Sequence, residues 1–452
     1  MRIHFISIGG VAMHNLAIAL HLNGNQISGS DDGIFEPSYS RLKKYGLLPD
    51  AIGWFPEKIT EEIDEIIVGM HALHDNPELK EAQIKQIPIY SYPEFLYEYS
   101  KDKIRIVIAG SHGKTTITSM IIHVLKHAGI DADFIVGAPS EGFDLLVKLN
   151  KFAKYIIIEG DEYPSSPMDQ RSKFLHYNPH IAVISGISWD HADKYPTFEN
   201  YLKQFRLFLQ SIEPLGCLFY YQNDDEIKKI VEDLIIRKKP YKAHPHKIEK
   251  GITNIYRDNK NSIKLNIFGL HNMANLNAAR MVCKELGVID DVFYKAISCY
   301  KSVSRRLELL EAKENSFIYR DFAHSPSKLK AAVTALRIQY PEHRLIICYE
   351  LHSDSSMSET FIDHYSGTLD QADDAIVFYN PNAALYKKIP LMTYNSIKQG
   401  FSRDDIQLFS DHEEMLTYLR KLKKKNHVFA FLTSGRFGYV DYKTITLNFL
   451  SS

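Results

Sequence analysis

The chain has 452 residues, 45% of them apolar and 24% charged, the balance of a folded protein with two or three cores. Its 54 Lys and Arg meet 55 Asp and Glu for a net charge of -1, so there is no basic field and no nucleic-acid partner is expected. No stretch approaches the roughly 20 apolar residues of a membrane span, so no membrane insertion is expected either.

The first apolar run, inside MRIHFISIGG, is too short for a signal-peptide core and enters a glycine turn directly. Cys217, Cys283, Cys299 and Cys348 are scattered with no CxxC pair, so neither a disulfide framework nor a zinc site is indicated. A cytoplasmic setting is the expectation. The basic run Arg420 to Lys425 reads as a solvated helix end.

In chain order, the first strand is Ile3-His4-Phe5-Ile6-Ser7-Ile8, followed by Gly9-Gly10 and a helical pattern from Val11 to Leu22. A second strand, Gln26 to Gly29, runs into Ser30-Asp31-Asp32, and further strands fit Glu65–Val68 and Pro88–Tyr90. A polar stretch, Tyr99 to Lys103, precedes the strand Ile104–Ala109, the turn Gly110-Ser111-His112-Gly113-Lys114-Thr115-Thr116 and the helix Ile117 to His127. Strands at Tyr155–Ile158 and Ile181–Ile184 and a helix around Asn272 to Leu286 complete this second segment. A third begins near Tyr300, with strands at Phe317–Tyr319, Leu345–Tyr349, Ala375–Tyr379 and Val428–Leu432 and a helix at Lys328–Gln339. Alternating strands and helices predict an α/β fold in three domains, at 1-100, 101-299 and 300-452.

The turn after Ala109 carries the chemistry. A strand that feeds a glycine turn opening a helix presents backbone N–H groups and the helix's positive end to phosphate oxygens. Gly110 and Gly113 let the backbone curl around the phosphates, Lys114 supplies a point charge, and the Thr115 hydroxyl can coordinate magnesium. Ile108 stands where the outer glycine of the full pattern would be. The run Ile156-Ile157-Ile158-Glu159-Gly160-Asp161-Glu162 puts acids at the carboxyl end of a buried strand, where an oxygen ligand suits a hard cation. After Ile184 come Ser188-Trp189-Asp190-His191, and coordination chemistry alone favours Asp190 over His191 as a magnesium ligand. Near the start, Gly9-Gly10 could receive a phosphate but lacks the GxGxxG spacing, and Met13 and Leu16 fit a core better than a contact surface. Asp31 stands at a ribose-reading position or serves as an ordinary turn residue; the sequence leaves both open.

Together, Ile8-Gly9-Gly10, Gly110 to Thr116, Glu159-Gly160-Asp161-Glu162, Asp190-His191, His271-Asn272-Met273-Ala274-Asn275, Arg305-Arg306-Leu307-Glu308 and Asp321-Phe322-Ala323-His324-Ser325-Pro326 resemble the Mur ligase family in order and spacing. The resemblance covers nearly the whole chain. It implies a Rossmann-like N-terminal domain holding UDP-N-acetylmuramate, a central P-loop ATPase domain, and a Rossmann-like C-terminal domain for an amino-acid or peptide amine. ATP and Mg2+ are the implied cofactors. Gly9, Gly10 and Asp31 would then serve the UDP-sugar. Gly110, Ser111, His112, Gly113, Lys114, Thr115, Thr116, His271, Asn275, Arg306 and Asp321 would serve ATP, and Thr115, Glu159 and His191 the metal. Lys114, Glu159 and His191 would be catalytic.

Two branches of the family start from UDP-N-acetylmuramate itself, one adding L-alanine and the other L-alanyl-γ-D-glutamyl-meso-diaminopimelate. The segment Asp169-Gln170-Arg171-Ser172-Lys173-Phe174-Leu175-His176-Tyr177 resembles an insertion of the tripeptide-adding, peptidoglycan-recycling branch. Two departures fall in the third segment: Glu350-Leu351-His352-Ser353 where relatives carry Pro and Arg, and Ser325 in place of the second His of a His-His-Pro. In several sister ligases a carbamylated lysine follows Asp-His; here that stretch offers Lys203 and Arg206. A P-loop regulatory ATPase is the rival from another class, and it leaves the flanking α/β segments without a purpose.

Overall fold

The structure, a computed structural model, describes residues 1–70, 72–138, 145–166, 169–189, 194–249, 251–257, 262–422, 426–435 and 437. The chain forms two compact units. The first comprises Met1–Ile187, Glu199–Lys242 and Ala278–Phe293, and the second comprises Ser188–Phe198, Ala243–Asn277 and the described residues from Tyr294 onward.

The first unit contains two sheets. One is wholly parallel and built from β1 (Arg2–Ile6), β2 (Gln26–Ser30), β3 (Glu65–Val68) and β4 (Ile89–Ser91) in the order β2-β1-β3-β4. The other has seven strands: β5 (Ile104–Ala109), β6 (Ala132–Ile135), β7 (Val147–Lys148), β8 (Tyr155–Glu159), β9 (Ile181–Ile184), β10 (Cys217–Tyr221) and β11 (Arg237–Tyr241). Their order is β11-β10-β9-β5-β8-β6-β7, with only the β6–β7 pair antiparallel. In β5 the residues Ile106 to Ala109 are fully buried, the continuous apolar run of a parallel strand covered on both faces. Ile106, Val107 and Ile108 each contribute about 1.5–3 kcal/mol of burial, so the strand before the phosphate turn is a rigid base.

Among the described residues the second unit also has two sheets. A small antiparallel one joins β12 (His246–Glu249), β13 (Ile252–Tyr256) and β14 (Ser262–Leu265). The other runs β15-β16-β20-β17-β18-β19. Its strands are β15 (Glu308–Lys313), β16 (Ser316–Asp321), β17 (Arg344–Leu351), β18 (Asp374–Tyr379), β19 (Gln407–Phe409) and β20 (His427–Leu432). Only β15 is antiparallel to its neighbour. Leu329, Val333 and Leu336 of the helix Pro326–Gln339 pack with Ile347, Tyr349 and Val377 in its main core.

The α/β expectation holds, and the differences have local causes. The first strand stops at Ile6 because Ser7 turns to φ 70°, which no ladder tolerates. The helix placed from Ile117 begins three residues earlier, at Lys114, because Gly113 at φ 78° already turns the chain into it. Strands β12 to β14 were not expected: they are four or five residues long, polar residues interrupt each, and none has a continuous apolar run. Of the basic run, Arg420 and Lys421 end the helix His412–Lys421, whereas residues 423–425 lie outside the described residues.

Candidate active site

Beyond Ala109 the backbone passes through Gly110 at φ 129° and Gly113 at φ 78°. A side chain at Gly110 would collide with Ser185, so this glycine is demanded by close approach as well as by its dihedral. The Ser111 amide donates to the Gly186 carbonyl at 2.9 Å and the Ser185 hydroxyl donates to the His112 carbonyl, which ties the turn to the chain leaving β9. Among the described residues the helix Lys114–His127 starts with no side-chain cap. The amides of Lys114, Thr115 and Thr116 are thus at the positive end of a 14-residue helix, where an anion is favoured.

Strand register brings the acids to this turn. Ile108 of β5 pairs with Glu159 of β8, so the glutamate emerges beside the start of the phosphate loop. The Thr115 hydroxyl donates to Glu159 Oε1 at 2.7 Å, and the Gly137 amide donates to Oε2 at 2.6 Å. A Cβ on Gly137 would stand 2.8 Å from Glu159 Oε1, so a larger residue there would displace the carboxylate from this position. Thr115 and Glu159 form a compact pair of hard oxygen donors at the foot of a phosphate-binding helix. That donor set fits magnesium.

Lys114 Nζ donates to the Gly110 carbonyl at 2.8 Å and to Glu162 Oε2 at 2.5 Å. Burial alone would pull this lysine down, but Glu162, Asp161 and Glu159 outweigh it and hold the group above its ordinary value, so it remains a cation. Glu162 is fully buried. Its Oε1 accepts from the Tyr201 hydroxyl at 3.2 Å, and that hydroxyl lies 2.8 Å from Ser111 Oγ. Asp161 is paired with Lys173 at 2.9 Å. His112 is half-buried and Thr116 buried.

Asp190 and His191 lie outside the described residues. The helix Phe198–Gln210 turns Tyr201, Leu202, Phe205, Phe208 and Leu209 inward, while Lys203 and Arg206 are exposed.

At the N-terminal turn, the Gly9 amide donates to Asp31 Oδ2 at 2.6 Å and the Gly33 amide to Oδ1 at 3.3 Å. Burial raises Asp31, and these two bonds oppose the rise. The carboxylate therefore braces the turn. His14 Nδ1 lies 2.9 Å from the Gly10 carbonyl, and burial lowers its pKa, so the neutral ring donates there.

In the second unit, His271 and Asn275 are one turn apart on the helix Leu270–Glu285. Burial pulls His271 down to about 4, which keeps it neutral. Asn275 is buried and its Nδ2 is 3.4 Å from Asn272 Oδ1. Arg306 lies between Arg305 at φ 62° and Leu307 at φ 43°, in a loop folded back so that the Leu307 amide donates to Asp321 Oδ2 at 2.7 Å. Burial raises Asp321, against the opposing pull of Arg306. The Arg305 and Arg306 guanidiniums stand 5.4 and 5.1 Å from the centre of the Phe322 ring.

Three consecutive matches to known families span the chain: residues 2–104 to "Mur ligase family, catalytic domain", 108–283 to "Mur ligase middle domain", and 305–435 to "Mur ligase, glutamate ligase domain". The UDP-N-acetylmuramate–L-alanine ligase of Aquifex aeolicus is 30% identical over 96% of this chain and 95% of its own length. The chain belongs to the Mur ligase family. Like other Mur ligases it is an ATP-dependent enzyme of peptidoglycan metabolism that forms amide bonds. The UDP-N-acetylmuramate–L-alanyl-γ-D-glutamyl-meso-2,6-diaminoheptandioate ligase of Escherichia coli is 27% identical, with 98% of each chain covered. The murein peptide ligase of Psychrobacter arcticus shares the fold at a TM-score of 0.66 and 22% identity, covering 99% of this chain and 98% of its own. No described helix of this Mur ligase is long and apolar enough to cross a membrane.

Two residues that reach the phosphate turn from other elements carry no assigned role in the sequence. Glu162 is one of three acids from Glu159 to Glu162, and nothing in the spacing marks which acid meets the lysine. Tyr201 reads as a core position of an amphipathic helix. Its hydroxyl becomes significant only once Ser111 and Glu162 are seen beside it.

Proposed function

We propose that this Mur ligase joins the lactyl carboxylate of UDP-N-acetylmuramate to the amino group of L-alanyl-γ-D-glutamyl-meso-diaminopimelate, a step of peptidoglycan recycling. The reading of the chemistry is carried by one observation: Lys114, Thr115 and Glu159 meet at the uncapped start of a helix. The acceptor is supported by the Asp169–Tyr177 segment and by the end-to-end likeness to the Escherichia coli tripeptide ligase. Identities of 30% to an alanine ligase and 27% to the tripeptide ligase do not separate the two acceptors, so the segment carries that choice.

In this reading the lactyl carboxylate attacks the γ-phosphorus of ATP, the β–γ bridging oxygen leaves with ADP, and the acyl phosphate so formed is attacked by the amine. Phosphate then leaves the tetrahedral carbon. Gly110 to Thr116 wrap the phosphates, the helix amides and Lys114 counter the charge spreading over the transferring group, and Gly9 and Gly10, braced by Asp31, receive the diphosphate of the sugar nucleotide. Thr115 and Glu159, together with His191, would hold Mg2+, which neutralises phosphate charge when bound. Asn275 and His271 would read the adenine, and Arg306 and Asp321 would complete the ATP site. A neutral His271 can accept or donate one hydrogen bond without repelling a base.

The test offers L-alanine, L-alanyl-D-glutamate and the tripeptide in parallel to enzyme with ATP, Mg2+ and UDP-N-acetylmuramate, read by mass spectrometry. Tripeptide adduct as the dominant product is the expected result. Dominant L-alanine adduct would reassign the chain to the biosynthetic branch.

A further inference from the structure

Glu162 is a charged, fully buried side chain to which the chemistry above gives no task. Its two oxygens serve different partners: Oε2 takes Lys114 Nζ at 2.5 Å, and Oε1 takes the Tyr201 hydroxyl at 3.2 Å. Because Tyr201 gives its proton to Glu162, the 2.8 Å contact with Ser111 has the serine as donor. One carboxylate thus links the head of the phosphate turn, through Ser111 and Tyr201, to the lysine at its tail.

The consequence for Lys114 is directional. An ammonium carries three N–H donors. The Gly110 carbonyl and Glu162 take two of them, which leaves the third a single heading. A flexible stem that would otherwise sample many rotamers is ordered before nucleotide arrives. A purely structural role explains this poorly, since a buried ion pair adds little net stability over an apolar pair of the same volume.

We propose that Glu162 is a positioning residue for phosphoryl transfer: it aims Lys114 at the terminal phosphate of ATP and, through Tyr201, fixes the lysine relative to Ser111. This rests on the P-loop reading of Lys114. Glu162 is three residues beyond the metal-binding acid Glu159 and points to the lysine instead, so its effect runs through the cation.

Four single and two double variants of the full chain test this by steady-state kinetics and by calorimetric binding of the non-hydrolysable β,γ-imido analogue of ATP with Mg2+. Glu162→Gln keeps the volume and loses the charge; kcat/KM for ATP should fall about 10- to 100-fold while KM for UDP-N-acetylmuramate stays within about twofold. Glu162→Asp keeps the charge and should recover part of the loss. Tyr201→Phe removes one hydroxyl, should cost less, and should cost almost nothing when added to Glu162→Gln, because the hydroxyl acts through the same carboxylate. In a Lys114→Met background, Glu162→Gln should weaken analogue binding no further. Wild-type kcat/KM in Glu162→Gln, or an equal loss of affinity with and without the lysine, overturns the proposal. Wild-type turnover in Lys114→Met would instead overturn the P-loop reading beneath it, a result separable from the other two.

Discussion

The molecule contains two glycine turns built on one plan and equipped for different tasks. Each follows the strand at which its parallel sheet reverses order, β1 in one and β5 in the other, and each opens a helix. At Gly9-Gly10 an acid from the neighbouring strand end, Asp31, accepts an amide of the turn itself, and no lysine follows the glycines. At Gly110–Thr116 the acids from the neighbouring strand face a lysine and a threonine hydroxyl instead. A backbone plan of this kind provides an anion site. The side chains after the second glycine decide whether phosphate is held there or transferred.

The largest expected effect breaks that contrast at its source. Lys114→Ala makes the second turn chemically like the first, and ligation should fall by about 10²–10³-fold or more, with a lower melting temperature as well, because buried Glu162 loses its cation. Glu159→Gln should raise the Mg2+ concentration for half-maximal rate by about 10–100-fold, measured by metal titration at saturating ATP. Asn275→Ala should raise KM for ATP about tenfold and leave KM for the sugar nucleotide alone, as loss of one buried hydrogen-bonding group predicts. Asp31→Asn should do the reverse at the first turn, raising KM for UDP-N-acetylmuramate about fivefold with ATP unaffected, because one amide loses its charged acceptor.

The smallest effect concerns stability. His271 titrates near 4 in the folded chain against 6.5 when unfolded, so between those values the unfolded state binds more protons. Stability should therefore rise with pH through that window and be lost as pH falls from 6.5 toward 4. Replacing His271 with Gln should flatten the melting curve there by about 2–4 °C.

Much of this was legible beforehand, for identifiable reasons. Strand β5 and its turn announce themselves because a doubly covered parallel strand is a solid apolar run and the glycines have fixed spacing. Lys114, Thr115 and Glu159 follow from that context. Strands β12 to β14 did not, since short antiparallel strands interrupted by polar residues look like loop. Nor did the Glu162–Tyr201–Ser111 chain, which joins residues up to 90 positions apart and exists only through tertiary packing. Asp31 had two readings that no spacing could separate; its bond to the Gly9 amide is a matter of side-chain direction.

Positional isotope exchange probes the central claim most directly. ATP carrying 18O in the β–γ bridge is incubated with enzyme, Mg2+ and UDP-N-acetylmuramate, with no amine present. Reversible acyl-phosphate formation in the Lys114 turn should move the label into non-bridging positions of the β-phosphate, and Lys114→Ala should abolish the exchange. Undiminished scrambling in that variant, or scrambling that needs no sugar nucleotide, would contradict the account.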